Sequence, residues 1–362
     1  MNEQQNQTND TTNGVEKSEI LFLYESTYSI PNGDPFTREQ RYDEESKKIL
    51  VSDVRIKRFI RNQLKEQGEK IYLEARGERE DEDESVDESA KKTKVSGAGL
   101  RVAELAQEFP DEKNVANLLK KCIDVRLFGG VSTAKKDNPF FKKKVKVKDK
   151  NGKEVDVENS KLYQDISANL TGPAQFALLN PSLNRMSLRV HQNTSHFVSD
   201  ESKGQGAIAT GSLVPYALLQ IHGWVNSQAA THTSLQHADV TKMLQALWDG
   251  VNNSNTRSKS NQDSLLLLQI VYKSKNKKLY GLDRSITLHT KDEKRDEQIR
   301  SRDDYALDLT ALAERLKDKK DIIKEVRYYT EDKATLDELE NIAKKPEYND
   351  LKFSQFKWDE VA

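Results

Sequence analysis

Six histidines, one cysteine and 59 acidic side chains are the groups in this chain that could do acid–base, nucleophilic or metal chemistry. Their spacing supports little of it. His191, His196, His222, His232, His237 and His289 are scattered. His232 and His237 stand five apart, off the i, i+4 spacing that puts two imidazoles on one helical face, and no cysteine joins them. No metal and no cofactor are expected. Cys122 lies in an apolar helical segment and reads as an inert buried thiol. The chain contains no phosphate loop ending in Gly-Lys-Ser/Thr, no Gly-x-Ser-x-Gly elbow and no dinucleotide fingerprint. One carboxylate stands out. Asp34, in the turn "NGDP", could position a metal or a water beside a basic groove, although turn-making is the plainer role for an Asp after Asn-Gly.

The chemistry that remains is electrostatic. In "SDVRIKRFIRNQLK", Ser52 stands where an N-cap belongs and Asp53 favours the helix dipole. On a helical wheel Ile56, Phe59, Ile60 and Leu64 share one face. Arg58, Arg61 and Lys65 fall opposite, flanked by Arg55 and Lys57, and no acidic residue occurs between 54 and 65. The chain as a whole has 58 basic and 59 acidic residues, a formal charge of -1, so this stripe is a local property. "EREDEDESVDES" (78–89) is acidic and "FFKKKVKVKDK" (140–150) basic, a segregation that hides a basic binding surface behind an ordinary average. Basic patches, glycine loops and interleaved aromatic residues suit recognition of an RNA backbone.

These residues need elements to hold them. Residues 1–18 are polar and read as a disordered tail. "SEILFLYESTYSI" (18–30) fits a buried strand ending at Pro31 and the Asn32-Gly33 turn. Residues 68–97 read as a mobile acidic loop. Helical periodicity returns through "VAELAQEF" and "EKNVANLLKKCIDVRLFGG". The tract 134–160 reads as a basic hairpin turning at Asn151-Gly152. Strands broken by loops follow, then an amphipathic helix over 239–255 stopped near Gly250. "SLLLLQIVYK" is a second buried strand, "GLDRSITLHT" a third, and Asp303 to Lys345 reads as mostly charged helix. The order fits an α+β fold, a ferredoxin-like or RRM-like sheet with insertions. A single cysteine excludes an internal disulfide and suits a reducing cytoplasm. The polar N-terminus lacks a signal-peptide core, and no apolar run is long enough to span a bilayer. A cytoplasmic protein with no membrane partner is expected.

"NGDP" followed by "ILVSDVRIKRFIRNQL" resembles the N-terminal signature of the Cas-seven family, the repeated backbone subunit of type I CRISPR Cascade complexes, and looks closest to subtype I-B. "DVRLFGG", "LTGPAQFALLNPSLNR", "GSLVPYALLQIHGWVN", "ALWDGVNNSNTRSKSNQ" and "LLLLQIVY" agree in the same order, over roughly residues 18–290. The resemblance implies an RRM-like palm with inserted finger and thumb elements, over about 19–300, and a helical C-terminal region (301–362) packed on it. It implies a non-catalytic subunit in an antiviral complex, its copies stacked head-to-tail in a helical filament along a CRISPR guide RNA. The guide would be held by its backbone, with segments of bases presented to target DNA.

Carried onto this sequence, the resemblance implies that Arg55, Lys57, Arg58 and Arg61 grip phosphates, with Asn32 and Gly33 forming the approach at the helix base. Arg126, Gly129 and Gly130 would continue the groove, with Arg185 and Gln175. The thumb would span about 191–215, with Lys203, Gly204, Gln205 and Gly206 near the RNA. Arg257 and Lys259 would meet the guide or a neighbouring subunit. Further partners would be other Cascade subunits at the two ends and an effector nuclease-helicase or a transposition module. Two alternatives stand beside this reading: a type III-like subunit that cuts target RNA through Asp34, and a stand-alone RNA-binding regulator.

Overall fold

The computed structural model describes residues 14–34, 36–37, 39–74, 98–132, 139–148, 154–163, 165–194, 208–256 and 258–358. The elements that matter for the site begin with β1 (Ser18–Ser29), β2 (Lys48–Ser52), α1 (Asp53–Glu66) and α2 (Ile123–Phe128). Next come β3 (Gly129–Ser132), β4 (Ala168–Thr171), β5 (Ala174–Phe176), β6 (Arg189–Thr194) and β7 (Ile208–Val225). The chain closes with α3 (His237–Asn252), β8 (Gln262–Tyr272), β9 (Ile323–Tyr329) and β10 (Lys352–Gln355). A seven-stranded sheet runs β6–β7–β1–β8–β9–β10, with β5 added to β7. β1 is antiparallel to both neighbours, Phe22 lying opposite Ile221 and Leu267. β9 and β10 run parallel.

β1 reads as one apolar run because both of its faces are covered. Ile20, Phe22 and Tyr24 point toward α1 and α3, where Phe59, Ile60, Leu244 and Trp248 join them in one core. Leu21 and Leu23 point the other way, into a core with Leu268, Ile270, Tyr305 and Leu312. Each such side chain taken fully out of water contributes about 1.5–3 kcal/mol, which fixes the register of the central strand. α1 starts where the sequence places it. Ser52 is extended (φ -82, ψ 154) and its hydroxyl accepts from the Arg55 N–H at 3.4 Å. Ile56, Phe59, Ile60 and Leu64 are its buried face.

Several expectations change. Gly250 does not stop α3. It lies in the last turns, where a Cβ would meet the Phe59 carbonyl oxygen at 2.7 Å, so it is the point where α1 and α3 approach. Residues 115–128 form two short helices, Val115–Leu119 and Ile123–Phe128, rather than one. Cys122 lies between them, and its burial, followed by the nearby Asp124, pushes the thiol up to about 12. The tract from Asp303 to Lys345 is not mostly helix. It holds the strand Tyr305–Asp308 and all of β9, and β9 and β10 extend the main sheet. Lys144–Lys148 pairs with Glu154–Glu158, while the expected turn at Asn151-Gly152 lies outside the described residues. So do the tail 1–13 and the acidic stretch 78–89. Among the described residues no helix is long and apolar enough to cross a membrane.

Candidate nucleic-acid interface

The turn after β1 is tied to the start of α1. Asn32 is buried, and its Oδ1 accepts from the Ser52 backbone N–H at 2.7 Å and the Ser52 hydroxyl at 2.9 Å. Its own N–H donates to Gln40 at 2.9 Å. Asn32 therefore holds the residue that caps the helix. Gly33 bridges to Gln40, in space that would admit a Cβ. Beyond it the Asp34 carboxylate accepts from the N–H groups of Phe36 (2.9 Å) and Thr37 (3.4 Å) and pairs with Arg41 at 2.9 Å. The Phe36 N–H above all holds its pKa below the usual carboxylate range.

The basic residues of α1 fall into two groups. On one side Lys57 reaches Asp53 (3.1 Å) and the Gln175 side-chain oxygen (2.8 Å). Arg61 pairs with Asp124 at 3.0 Å, and Asp124 is fully buried and also accepts from the Tyr72 and Leu73 N–H groups. Both cations lie over the ring of Phe128. Arg126 is fixed in the same way, with two bonds to Asp239 (2.9 and 2.7 Å) and one to the Lys120 carbonyl. Gly129, at φ +78, allows β3 to press onto β4 where a Cβ would meet the Leu170 carbonyl oxygen at 2.1 Å. Gly130 packs against Val125 and Tyr72.

On the other side three cations gather without a counter-ion. Arg55 stacks on Phe59 at 3.8 Å and donates to the Ser254 hydroxyl at 3.3 Å. Arg58 is exposed. Lys259 donates to the carbonyl of Ile30, just past the end of β1. No carboxylate among the described residues pairs with any of the three. Their fields overlap: burial first, then Arg55 and Arg58, brings Lys259 down to about 8. Burial, with Arg58 adding to it and Tyr24 opposing, brings Arg55 down to about 10. Beneath this shelf the Tyr24 hydroxyl and the Arg55 Nε are buried and have no hydrogen-bond partner among the described residues. Cations that depress one another with no carboxylate beside them form a site that an anion would complete.

The remaining candidates lie apart. Arg185 is exposed, and its N–H donates to Asp296 at 3.2 Å. Lys203, Gly204, Gln205, Gly206 and Arg257 lie outside the described residues; the flanking strands β6 and β7 pair antiparallel. Sequence reasoning missed Tyr24, Ser254, Asp124 and Asp239. Tyr24 had a signal: it shares the alternation of Ile20 and Phe22 and so faces α1.

The fold and the shelf together define a mixed α/β protein with an unbalanced cationic site at one end of its central sheet. The family is a separate finding. The model for CRISPR-associated protein Cas7 matches residues 16–310, and the chain belongs to that family. A curated relative named CRISPR-associated protein Cas7, from Haloferax volcanii, is 28% identical over 308 residues, covering 83% of each chain. Two solved structures are similar over most of their length. One is titled a CRISPR RNA-guided surveillance complex, pre-nicking (14% identity, TM-score 0.45, 95% of this chain and 98% of that one). The other is titled a CRISPR RNA-guided surveillance complex (12%, TM-score 0.48, 95% and 96%).

Proposed function

We infer that this chain is the repeated backbone subunit of a CRISPR RNA-guided surveillance complex and holds the guide RNA by its phosphates. The observation that carries the RNA contact is the shelf of Arg55, Arg58 and Lys259, which meets no carboxylate among the described residues. A phosphate there relieves the mutual repulsion of the three cations. Backbone contacts of this kind carry no sequence preference, so recognition of the target is left to base pairing. Lys57, Arg61 and Arg126 hold the groove in shape from behind, through Gln175, Asp124 and Asp239. Asn32 and Ser52 aim the helix.

The strand order β8–β1–β7–β5, with α1 following β1 and α3 joining β7 to β8, supports an RRM-like palm. The paired β6 and β7 ribbon would carry the thumb. Copies would stack head-to-tail in the cytoplasm along the guide, in a complex of subtype I-B, with target DNA pairing to the presented bases. The reading is non-catalytic. Asp34 is already engaged by two N–H groups and Arg41, which leaves it poorly placed to bind a metal for target-RNA cleavage.

The test is the salt dependence of guide binding. Arg58→Ala should remove about one phosphate contact per subunit and flatten the slope of log affinity against log salt by about 0.7. An unchanged slope would put Arg58 in solvent and remove the shelf from the RNA path.

A further inference from the structure

At the opposite end of β1, roughly 35 Å from the shelf at about 3.3 Å per residue, a cleft of about 620 Å³ opens where the chain enters the sheet. We propose that this cleft is a second anion site and takes a phosphate ester group.

The lining is cationic. Lys17, Lys273, Lys275, Lys324 and Arg327 surround it, against the single carboxylate of Glu16. Glu16 is shared between Lys324 and Arg327, the latter at 3.5 Å, and Arg327 is held further by Glu325 at 2.7 Å. Those two cations are spoken for. Lys17 and Lys273 are placed differently. Their ammonium groups donate to backbone carbonyls, of Lys275 at 3.0 Å and of Lys320 at 3.3 Å, and neither forms an ion pair among the described residues. A carbonyl orients an ammonium group without cancelling its charge. Although Asp350 lies within electrostatic reach of Lys273, cations outnumber carboxylates around the cleft, so it keeps a positive field, which its concave walls focus. The exposed Lys277 and Lys278 follow in the same loop.

A second observation points to a ligand. Ser227 lines the cleft and is only 2% exposed, yet its hydroxyl has no hydrogen-bond partner among the described residues. A buried hydroxyl left unpaired is costly, and a turn of the Ser227 side chain toward the adjoining cleft would let an anion oxygen there accept from it. His237, the first residue of α3, also lines the cleft. Burial, then the charges of Arg327 and Lys324, hold its imidazole below the ordinary range, with Glu16 and Glu325 opposing. The negative charge of a phosphate group among these residues reverses the balance and favours the imidazolium. Two sources supply the same chemistry: a free nucleotide, and the backbone of a polynucleotide.

The experiment is a titration of the full chain followed through the imidazole signal of His237, assigned with His237→Gln. Inorganic phosphate, adenosine monophosphate and a ten-nucleotide single strand are the probes. The expected result is a saturable shift of that signal with a rise in the His237 pKa. Binding should weaken about tenfold in Lys17→Gln/Lys273→Gln and about fivefold in Ser227→Ala, while the other histidine signals hold their positions. Arg58→Ala should leave the titration unchanged, which separates this cleft from the guide-binding shelf. Equal affinity for the mononucleotide and the strand assigns a free nucleotide; about tenfold tighter binding of the strand assigns a polynucleotide backbone. The proposal is overturned if none of the three probes moves the His237 signal, or if the double variant responds like the unaltered chain.

Discussion

Arg58 and Arg61 stand three residues apart on one helix and meet opposite surroundings. Arg58 is exposed and unpaired among the described residues, whereas Arg61 reaches a carboxylate with no exposure at all. Removing Arg61 strands the charge of Asp124 in the interior, a change worth about 3 kcal/mol. Arg61→Ala should therefore lower the melting temperature of the RNA-free chain without flattening the salt slope of guide binding. A variant as stable as the parent would show that the pair is dispensable. Lys259 gives a pH signature. Its folded pKa, about 8, lies below the ordinary lysine value, so between about 8 and 10.5 the unfolded chain binds more protons than the folded one. The contribution of Lys259 to folding thus becomes more favourable as pH rises through that window. Guide affinity should move the other way, falling above about pH 8 as the ammonium group loses its proton. Comparing the chain with Lys259→Gln by thermal melts and binding from pH 7 to 9.5 checks both; parallel trends would contradict the assignment. Residue types were legible in the sequence and their partners were not. The stripe on α1 has no acid within it, yet Asp124 and Gln175 reach it from distant segments and take up Arg61 and Lys57.

At the scale of elements, local signals did well wherever a helix or strand ends by its own chemistry. The Ser52 cap, the apolar face of α1 and the extent of β1 all follow from neighbouring residues. Gly250 did not, because its role is set by another helix. Gly250→Ala places a methyl group at 2.7 Å from the Phe59 carbonyl oxygen, and α1 must back away from α3. We expect a loss of about 1–3 kcal/mol, as for other overpacked contacts, together with weaker guide binding because the shelf rides on α1. Urea unfolding and RNA titration read the two effects, and an unperturbed chain would mean that the crossing has slack. β9 was hidden for a different reason. In "IKEVRYY" a buried glutamate interrupts the apolar pattern. Glu325 is tolerated because Lys352 (2.6 Å) and Ser354 (2.8 Å) from β10 and Arg327 on its own strand engage it, and these outweigh the cost of burial to bring its pKa to about 2. The strand is specified by a partner strand that is remote in sequence.

For the whole molecule, a net charge of -1 conceals two cationic sites at opposite ends of β1, one for the guide on the proposed reading and one for a phosphate ester. The family was legible because five motifs fall in order along the chain, even though several of their residues turned out to serve packing: Gly129 closes β3 onto β4, and Arg126 is taken up by Asp239. On the proposed reading, copies repeat through a head-to-tail contact that does not close on itself, and a guide of fixed length would set their number. A stand-alone RNA-binding regulator would instead keep a fixed footprint. The most direct test is co-expression with CRISPR RNAs of two spacer lengths, followed by native mass spectrometry of the purified particle. The account predicts more copies of this chain on the longer guide. A copy number that stays constant, or a particle without RNA, would contradict it.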